Sequence, residues 1–239
     1  MKIYCTLIAL IASLGFQAAT FAAFVEPQSW TRGDGGTTYQ EWGVFDAYPT
    51  DNTPDVGDIN PNGTASLTEN TGTAFTTSSG NIYGPGGATE FTVTIPEADV
   101  PTPQHDITAV VQFSTLGTEL DYTSVLLNGL APVDTAEIDR VALGGFGGSQ
   151  IDTWMLFNVP YADFGDGVAG VEDLTLEFTA SGAHMSLAAL SIDTAIRPFG
   201  FYAEPNPVPE PTSIALCALI GAGGLVVAAR RRFDLNANV

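Results

Sequence analysis

Positive charge is scarce in this 239-residue chain. Seven basic residues stand against 27 acidic ones, for a formal charge of −20 and a pI near 4.1. Such a surface cannot grip a phosphate backbone, which excludes a nucleic-acid partner. Charge of either sign is sparse as well, at 14% of residues, while glycine numbers 26 and proline 15. That balance excludes a coiled coil or helical bundle and points to short strands joined by turns. Apolar residues make up 45% of the chain, enough to bury a core, so wholesale disorder is excluded too.

Cysteine is confined to Cys5 and Cys217, and histidine to His105 and His184. The stretch between the two cysteines therefore has no disulfide and no thiol nucleophile. The histidines show no HExxH spacing, and no Gly-x-Ser-x-Gly elbow occurs. Glu41, Glu90, Glu172 and Glu177 could in principle supply a hydrolytic carboxyl pair, but among so many acids a pair carries no signal. The expectation is a protein that is not an enzyme.

The few cations collect at the ends. Met1-Lys2, an apolar run from Ile3 to Phe16 and the small-residue stretch 17–23 read as a secretory signal peptide over 1–23. Cleavage is expected at Ala22 or Ala23. The alternative is an uncleaved anchor, for which the apolar run is short. Residues 212–229 carry no charge and would reach about 27 Å as a helix, at about 1.5 Å per residue. Arg230, Arg231 and Arg232 follow, and residues 230–239 are expected as a basic cytoplasmic tail, leaving the preceding domain outside the cytoplasm.

Directly before that segment stands Val-Pro-Glu-Pro-Thr, with Pro209, Glu210 and Pro211 at its centre. This order of Pro-Glu-Pro, glycine-containing apolar span and arginine cluster resembles the PEP-CTERM protein-sorting signal. The resemblance covers about residues 208–232. It implies recognition by a membrane-embedded exosortase after signal peptidase has acted, an inner-membrane precursor, and export to the cell surface or extracellular matrix. The tail Phe233–Val239 runs on past the arginines, where such signals usually stop. The plainer reading is a proline-rich linker before an ordinary membrane anchor.

Between the ends, period-2 alternation dominates. Phe91, Val93 and Ile95 alternate with threonines. Ile107, Ala109, Val111 and Phe113 repeat the pattern, as do Leu174, Leu176 and Phe178. A phase change after Ala189 predicts a bulge. Further strands are expected over Thr37–Phe45, Ala65–Glu69, Ala74–Thr77, Asn81–Tyr83, Ser124–Asn128, Ile138–Leu143 and Trp154–Val159. Glycine and proline clusters separate them, and Asp134–Val141 could hold one helical turn. The fold expected is all-β: a single jelly-roll-like β-sandwich over 24–197, then a stiff linker over 198–211. Leu174–Ala180 followed by His184–Asp193 resembles the last hairpin of galactose-binding-like or carbohydrate-binding jelly rolls.

Two candidate sites stand out. Asp51, Asp55 and Asp58 put hard oxygen ligands into one loop over Asp46–Gly63, which suits structural calcium as readily as a solvated acidic turn. Trp30, Trp42 and Tyr48 belong to an early cluster of aromatics, with Tyr39 and Tyr83, that could stack on sugar rings. Their alternative role is core packing. Within 24–209 only Arg32, Arg140 and Arg197 oppose 25 acids, a formal −22. The expected role is a non-catalytic structural or interaction component of the cell surface or matrix. The alternative is a carbohydrate-binding module of the exopolysaccharide layer.

Overall fold

The computed structural model describes residues 24–46, 53–96, 104–144, 147–161, 173–198, Gly200 and Glu204. The expected signal peptide with Ala22 and Ala23 lies outside them. So do Tyr48, Asp51, Pro209, Glu210, Pro211, the apolar segment 212–229 and Arg230–Arg232. Among the described residues no helix is long and apolar enough to cross a membrane.

The described chain forms antiparallel strands in this order: β1 Thr37–Trp42, β2 Val56–Ile59, β3 Ser66–Glu69, β4 Phe75–Thr76, β5 Ile82–Gly84, β6 Glu90–Ile95 and β7 His105–Gly117. A short 3-10 turn, Tyr122–Ser124, precedes β8 Leu126–Leu127. Then come β9 Asp134–Ala142, β10 Ser149–Val159, β11 Leu174–Thr179 and β12 Met185–Pro198. The larger sheet runs β2-β1-β12-β7-β10-β9, with β5 beside the start of β12 and β4 beside β5. The smaller runs β3-β6-β11-β8. The result is a β-sandwich.

The alternation seen in the sequence becomes the interior. In β6, Phe91, Val93 and Ile95 are buried, while Glu90, Thr92 and Thr94 point away. In β11, Leu174, Leu176 and Phe178 do the same. They face Ile107, Ala109, Val111 and Phe113 of β7 and Leu190 and Ile192 of β12 in one apolar core. Phe178 stacks on Phe91 at 4.8 Å and meets Phe113 edge-on at 4.9 Å. Each such pair adds about 0.5–1.5 kcal/mol beyond the area it buries.

β12 organises the large sheet. It pairs with β7 along its whole length, and a register shift between Leu187 and Ala189 divides its other edge. Before the shift Met185–Leu187 pair with β5, and after it Leu190–Ala195 pair with β1. This is the bulge that the phase change foretold. The opposite faces of β7 and β12 are buried as well, because residues 24–36 run across them.

Several expectations need correction. Asp134–Val141 is not a helical turn: it belongs to β9, paired with β10. Val56–Ile59, inside the expected acidic loop, is an exposed edge strand against β1. The segments Leu174–Ala180 and His184–Asp193 do not form a hairpin. β11 lies in the smaller sheet and β12 in the larger, so the connection crosses from one layer to the other. Pro198, expected to open the linker, is the last residue of β12. Glu204 is buried and accepts hydrogen bonds from the Gln28 and Ser29 amides.

Candidate functional site

Of the expected sugar-stacking residues, the two that are described, Trp30 and Trp42, lie on opposite sides of the large sheet and share no platform. Trp42 is fully buried in the core between the sheets and has no face to offer. Trp30 lies on the other side of the large sheet, packed on Val110, Trp154, Leu156 and Ala195, with 7% of its surface exposed. The Arg197 guanidinium covers its ring at 4.9 Å.

The acidic candidates are placed as follows. Asp55 Oδ1 accepts from the Gly43 amide at 2.7 Å, which leaves its second oxygen for another partner. Asp58 is exposed on β2. Among the described residues no three His, Cys, Asp or Glu side chains gather as a metal-binding group.

Residues 24–36 act as a strap on the outer face of the large sheet. Val25 exchanges two hydrogen bonds with the Gln112 side chain, at 2.9 and 2.8 Å. Arg32 forks onto Asp193 at 2.6 and 2.9 Å and lies 3.4 Å over the Tyr39 ring. The Asp193 side chain is wholly buried and that of Arg32 is 18% exposed. Burial pushes the Asp193 carboxyl up to about 6, against the opposing pull of Arg32. The strap accounts for Trp30 and Arg32 as structural residues.

A cleft of about 570 Å³ opens at one end of the same outer face. Here β7 ends, β10 and β12 begin, and β5 joins. The ladders put Tyr83 beside Ser186 and Ser186 beside Leu116 in one row across β5, β12 and β7. Thr118, Leu143, His184, Gly117, Gly147 and Gly148 complete the lining. Gly117 and Gly148 let three backbones close together. A Cβ on Gly148 would stand 2.7 Å from the Gly117 Cα, and one on Gly117 would stand 2.5 Å from the His184 carbonyl oxygen. Part of the lining is therefore bare peptide.

One wall is aromatic. The Tyr83 hydroxyl and His184 Nδ1 share a hydrogen bond of 2.8 Å. Phe75, 48% exposed, meets the Tyr83 ring edge-on at 5.5 Å. His184 holds a left-handed backbone, φ 72°, unusual away from glycine. Its amide donates to the Gly84 carbonyl at 2.7 Å, and its carbonyl accepts from the Thr118 amide at 3.3 Å. The ring itself is held by the Tyr83 hydrogen bond and stacks near the Tyr83 ring at 6.1 Å.

Among the described residues no carboxylate, lysine or arginine lines this cleft. One row further along the strands, about 7 Å at about 3.4 Å per residue, Asp152 of β10 faces Asp139 of β9. Burial is the main cause that pushes the Asp152 carboxyl up, and Asp139 adds to it. Of the glutamates considered for hydrolysis, Glu41 shares a hydrogen bond with Tyr39, and Glu90 and Glu177 are exposed on the smaller sheet. None of these lines the cleft. An aromatic wall above a small-residue floor suits contact with a flat ligand face.

Sequence reasoning named Tyr83 among the early aromatics but did not choose it. It noted His184 only as one of two histidines, and it read the 144–148 glycines as a plain turn. Position gave little signal: Trp42 ends β1 beside Gly43 and Tyr83 lies in the short β5 beside Gly84, so local sequence did not separate the buried ring from the cleft ring.

No protein-family model matches the chain, and no curated protein matches it. Among solved structures, the family 11 carbohydrate-binding module of the cellulosomal cellulase Lic26A-Cel5E of Clostridium thermocellum aligns at 8% identity. It covers 76% of this chain and 99% of that one, with a TM-score of 0.22. A Clostridium thermocellum family 11 module in complex with a β-1,3-1,4-mixed-linked tetrasaccharide aligns at 10% identity over 71% of this chain and 98% of that one, again with a TM-score of 0.22. At that score the likeness transfers neither fold nor ligand.

Proposed function

We propose that this chain is an exported, non-catalytic surface protein whose β-sandwich, of jelly-roll kind, binds glycan in the Tyr83–His184 cleft. The observation that carries the reading is the cleft itself: an aromatic wall, hydroxyls and glycine backbone, with no carboxylate, lysine or arginine among the described lining residues, in a domain that is otherwise strongly acidic. Such a lining suits binding rather than hydrolysis by two carboxyl groups. Delivery follows the sequence reading. Signal peptidase removes residues up to Ala22 or Ala23, and exosortase acts at the Pro209–Glu210–Pro211 segment. The domain then reaches the cell surface or matrix, where polysaccharide is the abundant partner.

A glycan array probed with the wild-type chain and with Tyr83→Ala tests this. Tyr83-dependent binding to at least one glycan class is expected. Loss of an interface aromatic typically removes 1–2 kcal/mol or more, so roughly a tenfold or greater loss of affinity is expected. Binding that Tyr83→Ala leaves unchanged would move the site elsewhere. No binding to any glycan would return the protein to a purely structural role.

A further inference from the structure

Resting on that reading of the cleft, we propose that its ligand is an uncharged glycan, free of uronate, sulfate and phosphate groups. Between Phe24 and Pro209 the chain has no lysine and three arginines, and each arginine is already engaged by other groups of the chain.

Arg32 forks onto the buried Asp193 and covers Tyr39. Arg140 is held between two carboxylates, with Glu119 at 2.8 and 3.3 Å and Glu137 at 2.7 Å, so that cluster is net negative. Arg197 lies over Trp30 and donates to the Ser29 carbonyl at 3.2 Å. None of the three lines the cleft.

A carboxylate or sulfate entering the cleft would therefore find hydroxyls, peptide groups and an imidazole already bonded to Tyr83. It would find no arginine or lysine. Stripping an anion of water without a full counter-charge is heavily penalised. The surroundings add to the penalty, since Asp152 and Asp139 occupy the next row of the sheet and the domain as a whole is formally −22. At low salt that field also slows the approach of an anionic polymer. A neutral sugar meets neither obstacle. Its C–H face stacks on Tyr83, and its hydroxyls stay close to water.

Matched polymers differing only in charge test this. The full-length chain, held in a zwitterionic detergent without a sugar headgroup, is titrated with hydroxyethyl cellulose against carboxymethyl cellulose, and with dextran against dextran sulfate. Mannan and xylan extend the neutral set, and polygalacturonate the charged one. Conditions of about pH 8 and about 20 mM salt keep the Debye length near roughly 20 Å. Binding abolished by Tyr83→Ala is expected for at least one neutral polymer, with at least about tenfold weaker binding to charged ones.

Leu143→Lys, which puts one cation on the cleft wall, is expected to raise affinity for the carboxylated polymers several-fold. The proposal is overturned if a carboxylated or sulfated polymer binds through Tyr83 as tightly as its neutral counterpart. It is overturned equally if Leu143→Lys leaves the discrimination unchanged, since the missing counter-charge would then not be its cause. Absence of any Tyr83-dependent binding is a different failure: it removes the glycan reading and this inference with it.

Discussion

Asp193 gives the sharpest test of how the strap is held. Its side chain is fully buried, and Arg32 is its bidentate partner at 2.6 and 2.9 Å. Desolvation outweighs the guanidinium, so the carboxyl rises from its ordinary 3.8 to about 6. A group whose folded value is raised binds its proton more tightly in the native state than in the unfolded chain. Its stabilising contribution is therefore complete below pH 3.8 and is lost as pH rises through 6. At about 1.4 kcal/mol per pH unit, that loss amounts to about 3 kcal/mol across the window. Asp193→Asn removes this titration and leaves every other carboxyl in place. Urea unfolding, followed by fluorescence of the buried Trp30, Trp42 and Trp154, measures both proteins from about pH 4 to pH 8. The stability of Asp193→Asn relative to wild type is expected to climb by about 3 kcal/mol from the acid to the neutral end. Arg32→Ala should behave oppositely. It strands a buried carboxylate and costs about 3–5 kcal/mol at neutral pH, and much less near pH 4 where Asp193 is protonated. Parallel pH profiles for wild type and Asp193→Asn would refute the reasoning.

Other expectations follow from the ends, the charge and the core. Intact mass of native surface protein should show a chain starting at Ala23 or Phe24 and ending near Pro209–Pro211. Glu210→Ala should accumulate as inner-membrane precursor, and normal surface appearance of that variant would rule out sorting through this motif. Sodium chloride should raise the thermal midpoint by screening a −22 domain over about 10 Å at 0.1 M. If calcium sits on Asp51, Asp55 and Asp58, it should raise the midpoint beyond sodium at matched ionic strength, and Asp58→Asn should erase that increment; equal midpoints would remove the metal from the account. Phe178→Ala, which unstacks Phe91 and Phe113 at once, should cost about 3–5 kcal/mol in urea unfolding.

The sandwich was legible because its inward residues alternate cleanly. Phe91-Val93-Ile95 and Leu174-Leu176-Phe178 announce both their strands and their buried face. The bulge near Ala189 was legible for the same reason, since a phase change has few other causes. β2 was not, because Val56–Ile59 is an edge strand with all four residues exposed and carries no burial pattern. β9 was misread in part because Asp134–Val141 is acidic and largely exposed, and such a stretch has no strong period of either kind. The pairing of sheets could not be read at all: β11 and β12 look like a hairpin in sequence, yet they join different layers. For the site, residue type was not enough, since Trp42 ends a strand beside a glycine and yet is buried in the core. Tyr83 and His184 meet only through a ladder between residues about a hundred positions apart, and that register is invisible without the fold.

The central claim is that the cleft between β5, β7, β10 and β12 holds a glycan. Hydrogen–deuterium exchange on the full-length chain, with and without its best-binding polysaccharide, tests it most directly. Protection is expected in the peptides carrying Tyr83–Gly84, Gly117–Thr118, Gly147–Gly148 and His184–Ser186, with no change at the strap or on the smaller sheet. Protection confined to residues 24–36 or to β6 and β11, with the cleft peptides unchanged, would contradict the account.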